Sequence, residues 1–411
     1  AYVAIDDDLT FLDNNNFIWT SEKSGWNHIY LYDKNGKNEQ QITSGLWEVT
    51  SYYGYDNNTG LLFYNSTQNG SINRDVYSVS LKEKKVKRLT HKTGSNNASF
   101  STDFSYFINT YSSATVPYTF TLNESKNGKV IREIMNNDVL VNKLKEYKIS
   151  PKEYSTLSIN GNQLNMYTLK PLDFDETKEY PLFMYQYSGP GSQSVSNQWI
   201  GGNDYWHQML VQDGMIVVCV DGRGTGFKGR DFKKITQLEL GKYEVEDQIA
   251  VAKKLGELPY IDSSRIGIWG WSYGGFMSSN CLFQASDIFS MAIAVAPVSS
   301  WRFYDTIYTE RYMHTPQENP SGYDNNSPIT YADKMEGDFL LIHGAADDNV
   351  HLQNTLRLSE ALIQEDKDFE WAIYPDKNHS IYGGRTRSHL YKKMTNFIKE
   401  SLGGSNTNFR N

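Results

Sequence analysis

Cysteine, long apolar runs and any excess of positive charge are missing from this chain, and each absence excludes something. Two cysteines in 411 residues provide neither a disulfide framework nor metal-ligand spacing. Both lie in apolar surroundings, Cys219 within "MIVVCVDG" and Cys281 just beyond a glycine-rich turn, where core packing is expected. Lys and Arg number 40 against 48 Asp and Glu, a net charge of −8. No dense basic cluster reverses that sign, so nucleic acid is not an expected partner. The longest apolar run, "MAIAVAPV" at 291–298, is far short of the ~20 residues that span a bilayer. The chain opens "AYVAIDDDLTF", with no initiator Met and no targeting pattern, and reads as a processed or truncated part of a longer protein.

What is present divides into two textures, and the length itself favours two domains. Residues 1–149 are rich in Asn, Tyr, Ser and Thr. Short alternating runs ("NFIWTS", "HIYLYD", "LLFYNS", "DVYSVSL") are cut by turn signals such as "KNGK", "NNTG" and "QNGS". This spacing predicts an antiparallel all-β unit, a sandwich or propeller blades. "GWNHIYLYDKNGKNEQQIT" and "NRDVYSVSLKEKKVKRLT" read as an internal repeat, equivalent outer hairpins of successive blades. A closed propeller takes at least about four blades, whereas this stretch holds three, so the propeller is expected to be incomplete in this chain.

From residue 150 to 411 the pattern is α/β. Apolar strands at 181–189, 215–222, 265–270, 291–298, 339–344 and 369–376 alternate with helix-period stretches at 245–257, 274–285, 352–365 and 388–402. Strands apolar on both faces, separated by helices, predict a doubly wound parallel sheet with chemistry beyond the carboxyl ends of its strands.

Within "RIGIWGWSYGGFMSSN", Gly270-Trp271-Ser272-Tyr273-Gly274 matches G-x-S-x-G. Alone the motif is weak, since chance supplies one about one time in six in a chain this long. Its position between a buried strand and a helix start is the setting that presents a nucleophilic serine above a sheet. Such a serine needs a histidine base and an orienting acid, in the chain order Ser, acid, His. Of the downstream histidines, His351 shares a loop with the nearest acid and His389 lies in a helical run. His379, in "YPDKNHSIYGG", follows a strand directly and is the base by position. The acid belongs to "FLLIHGAADDNV": Asp347 or Asp348 serves by spacing, and the other is expected to cap the following helix.

These stretches resemble the prolyl oligopeptidase family of serine peptidases, in particular its dipeptidyl peptidase IV branch. "GWSYGG", "DGRGTG" (221–226), "APVSSWRFYDTIYTERYM" (296–313) and "HGAADDNVH" (343–351) occur in that branch's order. "SGWNHIYLYD" and "ITSGLWEVT" are similar to the last propeller blades. The resemblance implies that Asp347 is the triad acid. It also implies an oxyanion hole made by the Tyr273 N–H and the Tyr187 hydroxyl of "YQYSGPGSQ". Two donors aimed at a developing oxyanion make physical sense. Trp271, Val298, Trp301, Tyr304, Tyr308 and Val350 correspond to substrate-pocket positions, with the Tyr273 ring in the wall of a slot shaped for proline. Asn349 corresponds to a residue that binds the carbonyl preceding proline. Read without the family, aromatics at 301, 304 and 308 have helix spacing and suit a core equally well.

The expectation is therefore a serine exopeptidase that removes N-terminal dipeptides with proline or alanine second, without cofactor or metal. Its partners are proline-containing peptides and the missing propeller portion. The branch selects a free N-terminus with acidic residues upstream of this segment, and no Glu-Glu pair occurs here. A tripeptidyl or acylaminoacyl peptidase and a carboxylesterase share the triad; "ADDNV" with Asn349 favours the dipeptidyl type. The resemblance further implies action outside the cytoplasm and a homodimer built partly by the last helices.

Overall fold

Short strands bounded by Asn, Gly and Lys turns build three consecutive four-stranded antiparallel sheets, each with its strands in chain order. The computed structural model describes residues 2–3, 6–13, 15–199 and 202–403. The first sheet holds β1 (Thr10–Phe11), β2 (Phe17–Ser21), β3 (His28–Tyr32) and β4 (Gln40–Gln41). The second holds β5 (Val49–Asp56), β6 (Leu61–Ser66), β7 (Asp75–Ser80) and β8 (Val86–Arg88). The third holds β9 (Ser95–Phe100), β10 (Tyr106–Ser112), β11 (Thr119–Glu124) and β12 (Val130–Met135). The repeat segments are the outer hairpins β3–β4 and β7–β8.

Alternation along β6 explains how these sheets stack. Leu62 and Tyr64 join Ile18, Ile29 and Val79 on one side. Phe63 joins Val76 and Phe107 on the other. A strand's side-chain period of two thus fastens the middle sheet to both neighbours. The all-β reading of residues 1–149 misses α1 (Asp138–Leu144), a short helix with no buried residue that carries Asp138 in its first turn and Lys143 in its last.

The remaining chain forms one eight-stranded sheet: β13 (Glu153–Ile159), β14 (Asn162–Leu169), β15 (Tyr180–Tyr185), β16 (Ile216–Asp221), β17 (Ile261–Trp271), β18 (Met291–Val295), β19 (Asp338–Gly344) and β20 (Glu370–Tyr374). Their order is β13-β14-β16-β15-β17-β18-β19-β20. The strands from β15 onward pair in parallel. The sheet departs from a wholly parallel one at its edge, where β13 and β14 form an antiparallel hairpin that joins β16. Asn160-Gly161 makes its turn, both residues at positive φ, the two-residue connection that matches strand twist.

Helices α2 (Gly202–Gln212), α3 (Arg230–Lys234), α4 (Tyr243–Gly256), α5 (Tyr273–Gln284), α6 (Thr306–Met313), α7 (Pro320–Asn325), α8 (Gln353–Gln364) and α9 (Thr386–Leu402) complete the domain. Leu182, Ile268 and Leu341 face α4, α5 and α8 through Val251, Phe276 and Leu358. Phe183, Trp269 and Ile342 face α2 and α9 through Leu210 and Phe397. Each such side chain contributes about 1.5–3 kcal/mol by burial, and two such layers hold the strand ends that carry the site.

Candidate active site

Parallel strands β17, β18, β19 and β20 end on one edge of the sheet, and the segments leaving them converge there. The sharpest departure follows β17. Ser272 sits between Trp271 and the first residue of α5 with φ 61° and ψ −117°, a conformation that L-residues adopt only under constraint. Its N–H donates to the Val295 carbonyl at 2.8 Å, and its own carbonyl accepts from Phe276 N–H at 3.1 Å. The flanking glycines are there because nothing larger fits. A Cβ on Gly270 would lie 2.5 Å from the Gly274 carbonyl, and one on Gly274 would lie 2.6 Å from the Gln186 oxygen.

Asp347, in the loop after β19, is buried, while Asp348 beside it is exposed. The Asp347 Oδ1 accepts the N–H groups of Asn349 and Val350, each at 3.0 Å. Its Oδ2 accepts from His379 Nδ1 at 2.7 Å and lies 3.2 Å from His343 Nε2. Burial alone would raise the Asp347 pKa, but the bonds from His343 and His379 and the histidine charge outweigh it and hold the carboxyl well below its ordinary value. An ionised Asp347 fixes the His379 proton on Nδ1 and leaves Nε2 as the free lone pair. Asp348 does not cap α8: Leu352 occupies the N-cap with helical dihedrals and no side-chain cap bond is made. The chain turns into this helix through the Asp347 backbone bonds instead.

His379 is held from behind as well. Its carbonyl accepts the Trp271 indole N–H at 3.0 Å, so the loop after β20 is tied to the residue preceding Ser272. Among the described residues the Ser272 hydroxyl makes no hydrogen bond to His379, a looseness common before substrate tightens such contacts. The Tyr273 N–H, first in α5, has no intrahelical acceptor and points with the positive end of the helix. Tyr187 lies just past β15, with its ring centroid 6.1 Å from that of Tyr273.

The remaining predicted pocket residues form one wall. Trp301 stacks on Tyr308 at 5.8 Å and 23°, and Tyr304 stands perpendicular to both. They do not share a helix. Trp301 lies in a one-turn 3-10 segment (Trp301–Phe303), Tyr304 is extended, and Tyr308 is in α6. Val298 and Val350 are buried beside them. The Tyr304 hydroxyl donates to Asn349 Oδ1 at 2.7 Å, which occupies the acceptor of that amide and leaves its NH2 as the donor.

Two buried groups behind the site escaped the sequence reading. His343 donates from Nε2 to the Val350 carbonyl and accepts the Thr355 hydroxyl at Nδ1, each at 2.7 Å. "FLLIHG" reads as plain strand, and only its closeness to the Asp pair hinted at more. Glu244 is 0% exposed, accepts the Tyr273 hydroxyl at 2.6 Å and the Gly241 N–H at 3.1 Å, and burial raises its pKa to about 7. Its signal is that Glu244, Gln248, Val251 and Leu255 share a helix face, which puts polar residues on a core stripe.

The prolyl oligopeptidase family model matches residues 203–405, and the model for the dipeptidyl peptidase IV N-terminal region matches residues 1–118. The chain belongs to the prolyl oligopeptidase family. Within this family it is similar to the crystal structure of Porphyromonas gingivalis dipeptidyl peptidase 4, with a TM-score of 0.93 and 46% identity over 96% of this chain and 56% of that one. A protein of Aspergillus terreus named "Probable dipeptidyl-aminopeptidase B" is 40% identical over 95% of this chain and 43% of its own length. Its namesake in Sclerotinia sclerotiorum is 40% identical over 88% of this chain and 40% of its own length. The chain thus spans less than half the length of these curated relatives.

Proposed function

We propose that this protein is a serine peptidase that releases dipeptides from peptide N-termini when the second residue is proline or, less readily, alanine. The observation carrying the proposal is the Asp347–His379 hydrogen bond, on the strand-end edge where Ser272 is held at positive φ, with the Trp301 and Tyr308 rings at hand. His379 Nε2 takes the Ser272 proton as Oγ attacks the carbonyl of the proline residue. The Tyr273 N–H and the Tyr187 hydroxyl receive the oxyanion, His379 returns its proton to the leaving amine, and water releases the dipeptide from the acyl-enzyme. Asp347 stabilises the imidazolium and fixes its tautomer.

The flat proline ring suits the slot walled by Trp301, Tyr304, Tyr308, Val298 and Val350, with Trp271 and the Tyr273 ring at its margin, and Asn349 donates to the preceding carbonyl. In this reading residues 1–149 are the last blades of a propeller and residues 150–411 its catalytic domain. A homodimer and a site of action outside the cytoplasm complete the proposal. Among the described residues no helix is long and apolar enough to cross a membrane. A fluorophosphonate probe tests the mechanism: labelling present in the wild type and lost in Ser272→Ala supports it, and labelling that persists in Ser272→Ala refutes it.

A further inference from the structure

The loop that carries Tyr187 is held from outside the catalytic domain. Gln193, six residues after Tyr187, accepts a hydrogen bond from Arg74 Nη2 at 2.6 Å and donates to the Ser71 carbonyl at 2.9 Å. Both partners belong to the loop joining β6 to β7 in the second β-sheet. The same loop receives Asn197, whose N–H reaches the Ile72 carbonyl at 2.9 Å and whose side chain reaches Asn73 Oδ1 at 3.1 Å.

Arg74 is itself built in. Its Nη1 donates to the carbonyls of Ser71 and Asn73, each at 2.9 Å, and its guanidinium lies 4.0 Å over the ring of Phe227. Phe227 sits at φ 66°, where a bulky side chain is costly. From Gln193 the path back to Tyr187 is short and rigid. Ser192 N–H closes a turn onto the Gly189 carbonyl, and Gly191 and Ser192 bond to Gly224 and Gly226. The Tyr187 ring lies so close over Gly189 that a Cβ there would come within 2.7 Å of it.

We propose that Arg74, through Gln193, is a positioning residue for the Tyr187 hydroxyl, so that the β-sheet domain sets the geometry of one half of the oxyanion hole. This rests on the reading of Tyr187 as an oxyanion donor. A brace of this kind acts on the transition state, where the hydroxyl must meet the new negative charge, and leaves ground-state binding largely alone.

The test is steady-state hydrolysis of Gly-Pro-p-nitroanilide by the full chain carrying Arg74→Gln or Gln193→Ala, each alone and combined with Tyr187→Phe, with thermal melts as a folding control. Gln193→Ala removes the same bond from the other side without deleting a buried cation. Each single variant is expected to lose about 10-fold in kcat with KM within about two-fold, against about 10²-fold for Tyr187→Phe. In the Tyr187→Phe background, adding Arg74→Gln or Gln193→Ala is expected to cost less than about two-fold, the non-additivity of residues that act through one another. Equal losses in both backgrounds, or no loss, would overturn the brace while leaving Tyr187 as donor. An unchanged kcat in Tyr187→Phe alone would instead overturn the reading of Tyr187.

Discussion

Oδ2 of Asp347 accepts from His379 Nδ1 at 2.7 Å while its Oδ1 accepts the N–H groups of Asn349 and Val350 at 3.0 Å, so one buried carboxylate fixes both the imidazole and its own loop. Replacing Asp347 by Asn puts an N–H or a weaker acceptor opposite Nδ1 and shifts His379 toward the wrong tautomer. We expect kcat to fall by about 10³–10⁴-fold with KM little changed, measured on a proline-containing chromogenic dipeptide.

The same carboxylate gives a pH signature. Its folded pKa is depressed, so its contribution to stability is complete above the ordinary carboxyl value of about 3.9 and is lost as pH falls from there toward the folded value. Thermal melts between pH 5 and 3 should show the wild type losing stability more steeply than Asp347→Asn. Parallel slopes would show that the pairing contributes nothing on folding.

Ser272 holds φ 61° without being glycine. Ser272→Gly relieves that strain, whereas Ser272→Ala retains it. Both variants should be inactive, yet the Gly variant should be more stable than the Ala variant by about 1 kcal/mol. Denaturant unfolding of the pair checks this, and an Ala variant at least as stable as the Gly variant would show that the elbow is unstrained.

Glu244 acts with the opposite sign to Asp347. Burial raises its pKa from 4.5 to about 7, the bonds from Tyr273 and Gly241 offsetting only part of it. Between those pH values the unfolded chain releases a proton that the folded chain keeps, so stability declines as pH rises through the window and levels off above it. The difference corresponds to about 3 kcal/mol. Glu244→Gln escapes this loss, and its melting temperature relative to the wild type should climb between pH 4.5 and 7. A pH-independent difference would contradict it.

The Tyr304 hydroxyl holds Asn349 Oδ1 at 2.7 Å and so fixes the amide that is proposed to donate to the substrate. Tyr304→Phe should raise KM by about 3–10-fold, the weight of one ordinary hydrogen bond, with kcat changing less. A fall in kcat at constant KM would place Tyr304 on the chemical step instead.

Local patterns carried much of this architecture in the sequence. The apolar strands and the four helix-period stretches correspond to β15–β20 and to α4, α5, α8 and α9, because burial on two faces writes continuous apolar runs in strands and burial on one face writes a 3.6-residue period in α4, α8 and α9, while α5 is buried nearly throughout. Gly270 and Gly274 could be read because a tight turn admits no other residue. What remained hidden depends on tertiary contact. The choice between Asp347 and Asp348 turns on which side chain the loop buries. His343 and Glu244 sit in segments whose pattern is ordinary strand and helix, and their partners are distant in sequence. The Arg74–Gln193 contact joins the second β-sheet to the eight-stranded sheet's β15–β16 connection, which no local spacing encodes.

The proposed reaction is cleavage by Ser272 after the second residue of a free N-terminus. The most direct measurement is hydrolysis of Gly-Pro-p-nitroanilide beside its N-acetylated form by the full-length protein, with Ser272→Ala as control. We predict turnover of the free-amine substrate alone, abolished in the variant. Equal turnover of the two substrates, or activity surviving in Ser272→Ala, would contradict it.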